Sequence, residues 1–291
     1  MPNLSLQQLL TTSGVAQHAM VTTNTDPTDG TGTVDGHEAT VPGSAGIFFP
    51  SSLSRPGLRS FKIAFNDSDH HVKSIGAGRE FEFGNGQWRM VDNRSEAWLT
   101  DNSQKRKLTG SITEVMLPSG TFYGELGGAG SDSNHNLNLN RASGTWPAES
   151  VRKYYVPVMA GFHLDLDSDH HVSNIFAGLG YHEAIGFYGG LSLGDQSGHY
   201  AQSGHVCVAF VPHCRVRGTQ TIRGEGRGSS GPIAFLAGDP VLQSFSVGFK
   251  NGDHHLKEFA IRMSPNTCEV VFKDDNGDDP FSYTLEIVDL I

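Results

Sequence analysis

The stretch PGLRSFKIAFNDSDHHVKSI, residues 56–75, decides how this chain is read, because it recurs twice. The third copy, PVLQSFSVGFKNGDHHLKEF (240–259), aligns with it without a gap; the second, PVMAGFHLDLDSDHHVSNI (157–175), is one residue shorter ahead of Asp169. Phe61, Ile63 and Phe65 alternate with Lys62 and Ala64, the period of a strand with one buried face. Asn66-Asp67-Ser68, or Asn251-Gly252 in the third copy, then supply turn chemistry before a second apolar stretch. Each repeat therefore reads as a β-hairpin with Asp-His-His at the exit of its turn. The V-x-x-I spacing breaks strict alternation and predicts a β-bulge just after the histidines.

A second element extends the repeat. Asp101 is followed at fixed distances by Gly110 and Pro118, and Asp195 at the same distances by Gly204 and Pro212. The intervening segments around Ile112–Leu117 and Val206–Val211 are strand-like, and Tyr283–Ile287 is the looser third counterpart. At 291 residues the chain has room for two or three cores. We divide it into an N-terminal arm (1–46) and three β modules (47–143, 144–232 and 233–291), the last short enough to need a strand from elsewhere. Leu4, Leu9 and Leu10 share one face of a short helical turn. The rest of the arm is Thr-, Gly-, Asp- and Pro-rich and lacks the apolar periodicity to pack a core unaided. It reads as a flexible arm or an extended segment ordered on a partner. The Gly/Ser/Asn-rich runs 124–144 and 217–231 read as linkers too polar for strands.

Composition narrows the partners. The net charge of −10 argues against nucleic acid or an anionic membrane, both of which need clustered Lys and Arg. No run approaches the ~20 apolar residues of a membrane span, and Met1–Leu10 has no secretory-signal pattern. This places the chain in the cytoplasm at synthesis, held in an assembled particle or exported by a route without a signal peptide. Cys207, Cys214 and Cys268 cannot all pair within one chain and read as free thiols, with a Cys207–Cys214 bridge as the alternative.

The chemistry centres on Asp69-His70-His71, Asp169-His170-His171 and Asp253-His254-His255. Adjacent histidines on a strand point to opposite faces, so one pair does not chelate an ion by itself. A device repeated in every module fits a structural turn motif, its Asp capping the turn and one His packed inward. The alternative is a metal site assembled about a pseudo-threefold axis from His70, His170 and His254. The same three letters mark the DHH phosphoesterases, where the motif occurs once on an α/β scaffold beside further Asp-bearing motifs. Here it recurs between strands, without those motifs and without strand–helix alternation.

No G-x-S-x-G elbow, H-E-x-x-H pair or phosphate-cradling loop occurs, and Glu80, Glu82, Glu114 and Glu183 are undistinguished carboxylates. Asp274–Asp279 has the alternating oxygens of a Ca²⁺ loop but departs from the EF-hand pattern, and reads as a solvated acidic turn. Arg215, Arg217, Arg223 and Arg227 read as a basic cluster on a mobile loop. Trp88, Trp98, Trp146 and Tyr181 lie near polar loops, where aromatic rings stack on sugar faces or close the ends of sandwiches.

The expectation is an all-β protein of three related antiparallel modules, small sandwiches or half-barrels, with an extended arm. It is expected to be a non-enzymatic subunit of a larger particle, self-associating or binding protein partners through its arm, with no cofactor. The alternatives are a lectin-like glycan-binding protein and a metal-dependent enzyme with Asp-His-His ligands, calling for Ca²⁺ or Zn²⁺ respectively.

Overall fold

The computed structural model describes residues 18–26, 31–34, 37–40, 46–50, 53–66, 68–84, 87–102, 108–131, 136–195, 201–235, 237–277 and 279–291. The Leu4–Leu10 helical turn lies outside them. The protein is all-β, with two antiparallel sheets, one of them curled into a half-barrel. The helical elements among the described residues are two 3₁₀ turns, Glu149–Tyr154 and His213–Arg215. No helix there is long and apolar enough to cross a membrane.

The arm supplies β1 (His18–Asp26), β2 (Thr31–Val34), β3 (His37–Thr40) and β4 (Gly46–Pro50). The first repeat contributes β5 (Pro56–Phe65), β6 (Val72–Gly84), β7 (Gln87–Thr100), β8 (Leu108–Met116), β9 (Phe122–Ser131) and β10 (Asn136–Gly144). The second contributes β11 (Tyr155–His170), β12 (Asn174–His182), β13 (Gly186–Gly194), β14 (Ala201–Pro212) and β15 (Val216–Ser229). The third contributes β16 (Ile233–Ala234), β17 (Asp239–Phe249), β18 (Glu258–Met263), β19 (Thr267–Lys273) and β20 (Pro280–Leu290).

The pairing does not follow the expected hairpins. The first strand of each repeat pairs with the second strand of the repeat before it: β11 with β6, β17 with β12 and, closing the circle, β5 with β18. On its other side it pairs with a later strand of its own repeat, in β5–β8, β11–β14 and β17–β20. The Asp-His-His turn is thus a crossover from one block of strands to the next. Its backbone is locked to neighbouring turns: His70 N–H donates to Leu256 O at 3.1 Å and Leu256 N–H to His70 O at 2.9 Å. His254 and Val172 exchange the same two bonds at 3.0 and 2.8 Å, and His170 lies opposite Val72.

The bulge is also displaced from its expected place. A register shift recurs in the first strand of every repeat, at Arg59, Ala160 and Gln243, ahead of the phenylalanine rather than after the histidines. A bulge re-aims the side chain at that point. Arg59 Nε donates to Pro240 O at 2.8 Å and Gln243 Nε2 to Pro157 O at 3.0 Å. Ala160 has no such group, and Tyr123 Oη donates to the third proline carbonyl, Pro56 O, at 2.9 Å.

The polar runs read as linkers contain strands, 124–131 in β9, 136–144 in β10 and 217–229 in β15. Their lack of apolar residues is made good by the neighbouring strand. A Cβ at Gly226 would fall 2.7 Å from the Phe281 ring, so the absent side chain makes room for an aromatic from β20. Arg217, Arg223 and Arg227 of the basic cluster lie on β15, with Arg215 in the 3₁₀ turn just before it, and Arg217 pairs with Asp289 at 2.8 Å. All three cysteines are free, which excludes the Cys207–Cys214 bridge.

The main core is common to the three repeats. Phe61, Phe162 and Phe245, equivalent in sequence, form a triangle with ring centroids 5.5, 5.9 and 5.1 Å apart. A smaller cluster lies toward the proline end of the first strands and again draws on all three repeats, through Val115, Val158 and Val241 among others. The arm joins this frame within its own chain: β1 runs antiparallel to β8 from His18 opposite Val115 to Thr25 opposite Leu108.

Candidate metal centre

The first strands run from the prolines, past the phenylalanine triangle, to the three turns, and there the turns converge. His71, His171 and His255 gather with ring centroids 4.3, 4.5 and 4.8 Å apart. A ring nitrogen of each lies within 4.8 Å of those of the other two. Their side chains are 38, 43 and 41% exposed, so the group opens to solvent on one side.

Behind each ring stands a carboxylate of the following repeat. Asp169 Oδ1 lies 4.0 Å from His71 Nδ1, Asp253 Oδ2 3.8 Å from His171 Nδ1, and Asp69 Oδ1 3.5 Å from His255 Nδ1. The aspartates also tie loops together across repeats: Asp69 accepts from the Asp275 N–H at 3.1 Å, and Asp169 from Asn102 Nδ2 at 2.7 Å. Each aspartate thus reaches the preceding repeat, whatever it does within its own turn.

The first histidine of each pair has another task. His70 Nε2 meets Ser68 Oγ at 3.0 Å, His170 Nε2 meets Ser168 Oγ at 3.0 Å, and His254 Nε2 meets Asn251 Oδ1 at 3.1 Å. His70 packs edge-on to Phe65, and His254 against Phe249. His170 Nδ1 adds a 2.9 Å contact to Asp195 Oδ2, a carboxylate that the sequence repeat had already marked. These are the inward-packed histidines of the motif. The threefold cluster is built from their neighbours His71, His171 and His255, and not from His70, His170 and His254 as the metal alternative had it.

Three imidazoles with an open side make the donor set of a tetrahedral transition metal that keeps one position for solvent. A hard cation such as Ca²⁺ needs oxygen ligands instead. A carboxylate 3.5–4.0 Å from the Nδ1 of each ring is the kind of outer group that orients a metal-ligating imidazole. Burial, then the neighbouring His171 and His255, hold the His71 imidazole below its ordinary value against the pull of Asp169. That favours the neutral form, the one that binds metal.

A second group, His254 with Asp274 and Asp279, has its donor atoms within 4.8 Å of one another. It lies in the acidic turn that was compared with a Ca²⁺ loop. Asp274 there accepts from the Gly277 N–H at 3.0 Å and from Asn276 Nδ2 at 3.1 Å. The pair mirrors His170–Asp195 and closes the turn.

Two of the aromatic candidates, Trp146 and Tyr181, both pack on Phe187. Trp98 donates through Nε1 to Ser74 Oγ and lies 5.6 Å from His163. Trp146 packs on Phe210 and Tyr181 on Phe187, while the Trp88 side chain lies outside the described residues. Glu114 is fully engaged in a buried pair with Arg79.

Near Trp98, His163 and His205 stack at 5.7 Å with an interplanar angle of 8°. His163 meets Asp165 at 3.2 Å and Glu96 at 3.7 Å, and His205 Nδ1 lies 3.8 Å from Glu125. Burial drives the His205 imidazole down to about 4, with His163 pushing the same way and Asp165 opposing. The unfolded chain, with histidine near ~6.5, therefore takes up the additional proton. This contribution to stability is complete above ~6.5 and is lost as pH falls toward about 4. Urea unfolding is expected to show a midpoint falling through this window, and His205→Gln to flatten the fall; equal slopes for the two proteins would exclude His205 as the cause.

Neither protein-family models nor curated proteins match the chain, so the reading of its function rests on the geometry above.

Proposed function

We propose that the three repeats of this protein are stapled by one divalent transition-metal ion, Zn²⁺ by preference, held by His71, His171 and His255 with the fourth position left to solvent. The observation that supports this reading is the convergence of one histidine from each repeat, each with a carboxylate from the next repeat behind it. Every ligand comes from a different repeat, so binding favours the arrangement in which the three turns meet over any opened form. Linkage turns that preference into stability: a ligand at 100 times its Kd adds about 2.7 kcal/mol. Imidazole also ranks among the better donors for Zn²⁺, Cu²⁺, Ni²⁺ and Co²⁺, and the identity of the ion depends on supply as well as affinity.

Isothermal titration of metal-free protein with Zn²⁺ is expected to show one site per chain. Substituting Co²⁺ should give the intense visible bands of a tetrahedral centre. His171→Asn removes one of three ligands and is expected to weaken binding at least ~100-fold; Asp253→Asn, which takes away only the carboxylate behind His171, should cost ~10–100-fold. Circular dichroism separates loss of ligation from loss of fold. Absence of stoichiometric binding, or equal affinity in wild type and His171→Asn, would overturn the reading.

A further inference from the structure

The three blocks of strands share one scaffold but present three different outer faces. Just after the core phenylalanine the repeats place Lys62, His163 and Ser246; two residues after the motif's Val or Leu they place Ser74, Asn174 and Glu258. On the β18–β5–β8 block this gives a closed charge network. Glu258 pairs with Lys62 at 3.7 Å, Lys273 at 3.1 Å and Arg262 at 2.9 Å, and Arg262 pairs again with Glu269 at 2.7 Å. The β6–β11–β14 block carries the stacked histidines. The β12–β17–β20 block places Asn174, Ser246 and Thr284 there, carries Glu286 beside them, and has cavities open across these positions.

Two such cavities, of about 560 and about 400 Å³, lie on that face. They share Ser246 and Thr284 and so form one groove. Its register is set by the ladder: Asn174 lies opposite Gly248, which lies opposite Ser282, and Phe176 lies opposite Ser246, which lies opposite Thr284. From β13 to β20 the groove crosses three strand spacings, roughly 14 Å.

Its floor is made by glycine. A Cβ at Gly178 would fall 2.6 Å from the Phe176 ring, and one at Gly180 would collide with the Tyr188 ring. Both rings therefore lie against bare backbone, and Tyr188 is 47% exposed. The polar groups around them are uncharged hydroxyls and one amide. The single carboxylate, Glu286, accepts from Ser244 Oγ at 2.7 Å, and no Lys or Arg lines either cavity. Flat apolar rings beside neutral donors and acceptors match the alternating C–H faces and hydroxyl edges of a pyranose, whereas an anionic ligand would find no counter-charge.

We infer that the groove between Tyr188 and Ser282 binds a neutral oligosaccharide, with Phe176 and Tyr188 as stacking rings and Asn174, Ser246, Ser282 and Thr284 as hydroxyl-reading groups. This site is separate from the histidine cluster and stands whether or not that cluster holds metal. The residues differ from the tryptophans and Tyr181 singled out by loop position, because it is the strand register that brings them together.

The test is a panel of immobilised neutral tetrasaccharides of gluco, manno, galacto and xylo configuration, beside sialylated and sulfated counterparts and a random peptide library. Wild type is expected to retain at least one neutral tetrasaccharide, confirmed in solution by calorimetry. Tyr188→Ala and Ser246→Lys should each weaken that binding at least tenfold while leaving the circular dichroism spectrum unchanged. No binding to any neutral member, binding confined to acidic glycans or to peptides, or neutral binding unaltered in both variants would overturn the inference.

Discussion

Phe245→Ala is expected to destabilise the protein by about 3–5 kcal/mol, the range for deleting a buried aromatic ring. The ring is 1% exposed and lies within 6 Å, centroid to centroid, of Phe61, Phe162 and Phe259. Those partners belong to all three repeats and sit in strands whose backbones are fixed on both sides, so the cavity has little means of collapsing. The same void lies beneath the turns that carry His71, His171 and His255. Zn²⁺ affinity is therefore expected to fall in this variant even though no ligand has changed. Equilibrium urea unfolding measures the first effect and calorimetry the second. A loss below about 1 kcal/mol would mean that the triangle is not a packed core.

The second large effect is expected at a buried ion pair. Glu114 on β8 and Arg79 on β6 are 3% and 2% exposed at their side chains, with Nε and Oε1 3.0 Å apart. Ser95 Oγ also donates to Glu114, and Arg79 Nη2 donates to Leu53 O at 3.3 Å. Glu114→Ala takes the anion away from a buried guanidinium. The expected cost is about 3–5 kcal/mol. Replacing both residues with apolar ones of similar volume, as in Arg79→Met with Glu114→Leu, should recover most of it, because the desolvation penalty disappears with the charges. A double-mutant cycle in urea decides the matter: additive losses would show that the two groups do not act as a pair.

Some of this was legible in the chain and some was not. Strand positions follow from local alternation, and Phe61, Ile63 and Phe65 are all buried on β5 as their spacing implies. The same holds for the segments after Gly110 and Gly204, which became β8 and β14. Partner choice is not local. The turn chemistry of Asn66–Ser68 suits a hairpin equally well, yet β5 finds its neighbours in β8 and β18. The strand β15 escaped notice for a different reason: its apolar cover comes from Phe281 and its neighbours on β20, so its own letters, rich in Gly, Arg and Thr, carry no hydrophobic signal.

The candidate site divides along the same line. Sequence alone established that Asp-His-His is a threefold device, that its two histidines face opposite ways, and that each copy follows a strand, because repetition and side-chain alternation are properties of a single chain segment; β5 is in fact buried on both faces. Only the tertiary structure decided that the three turns meet, that His71, His171 and His255 face one another while His70, His170 and His254 turn inward, and that each aspartate serves the preceding repeat. Those outcomes depend on which strands hydrogen-bond to one another, and backbone hydrogen bonds carry no side-chain identity from which a partner could be foretold.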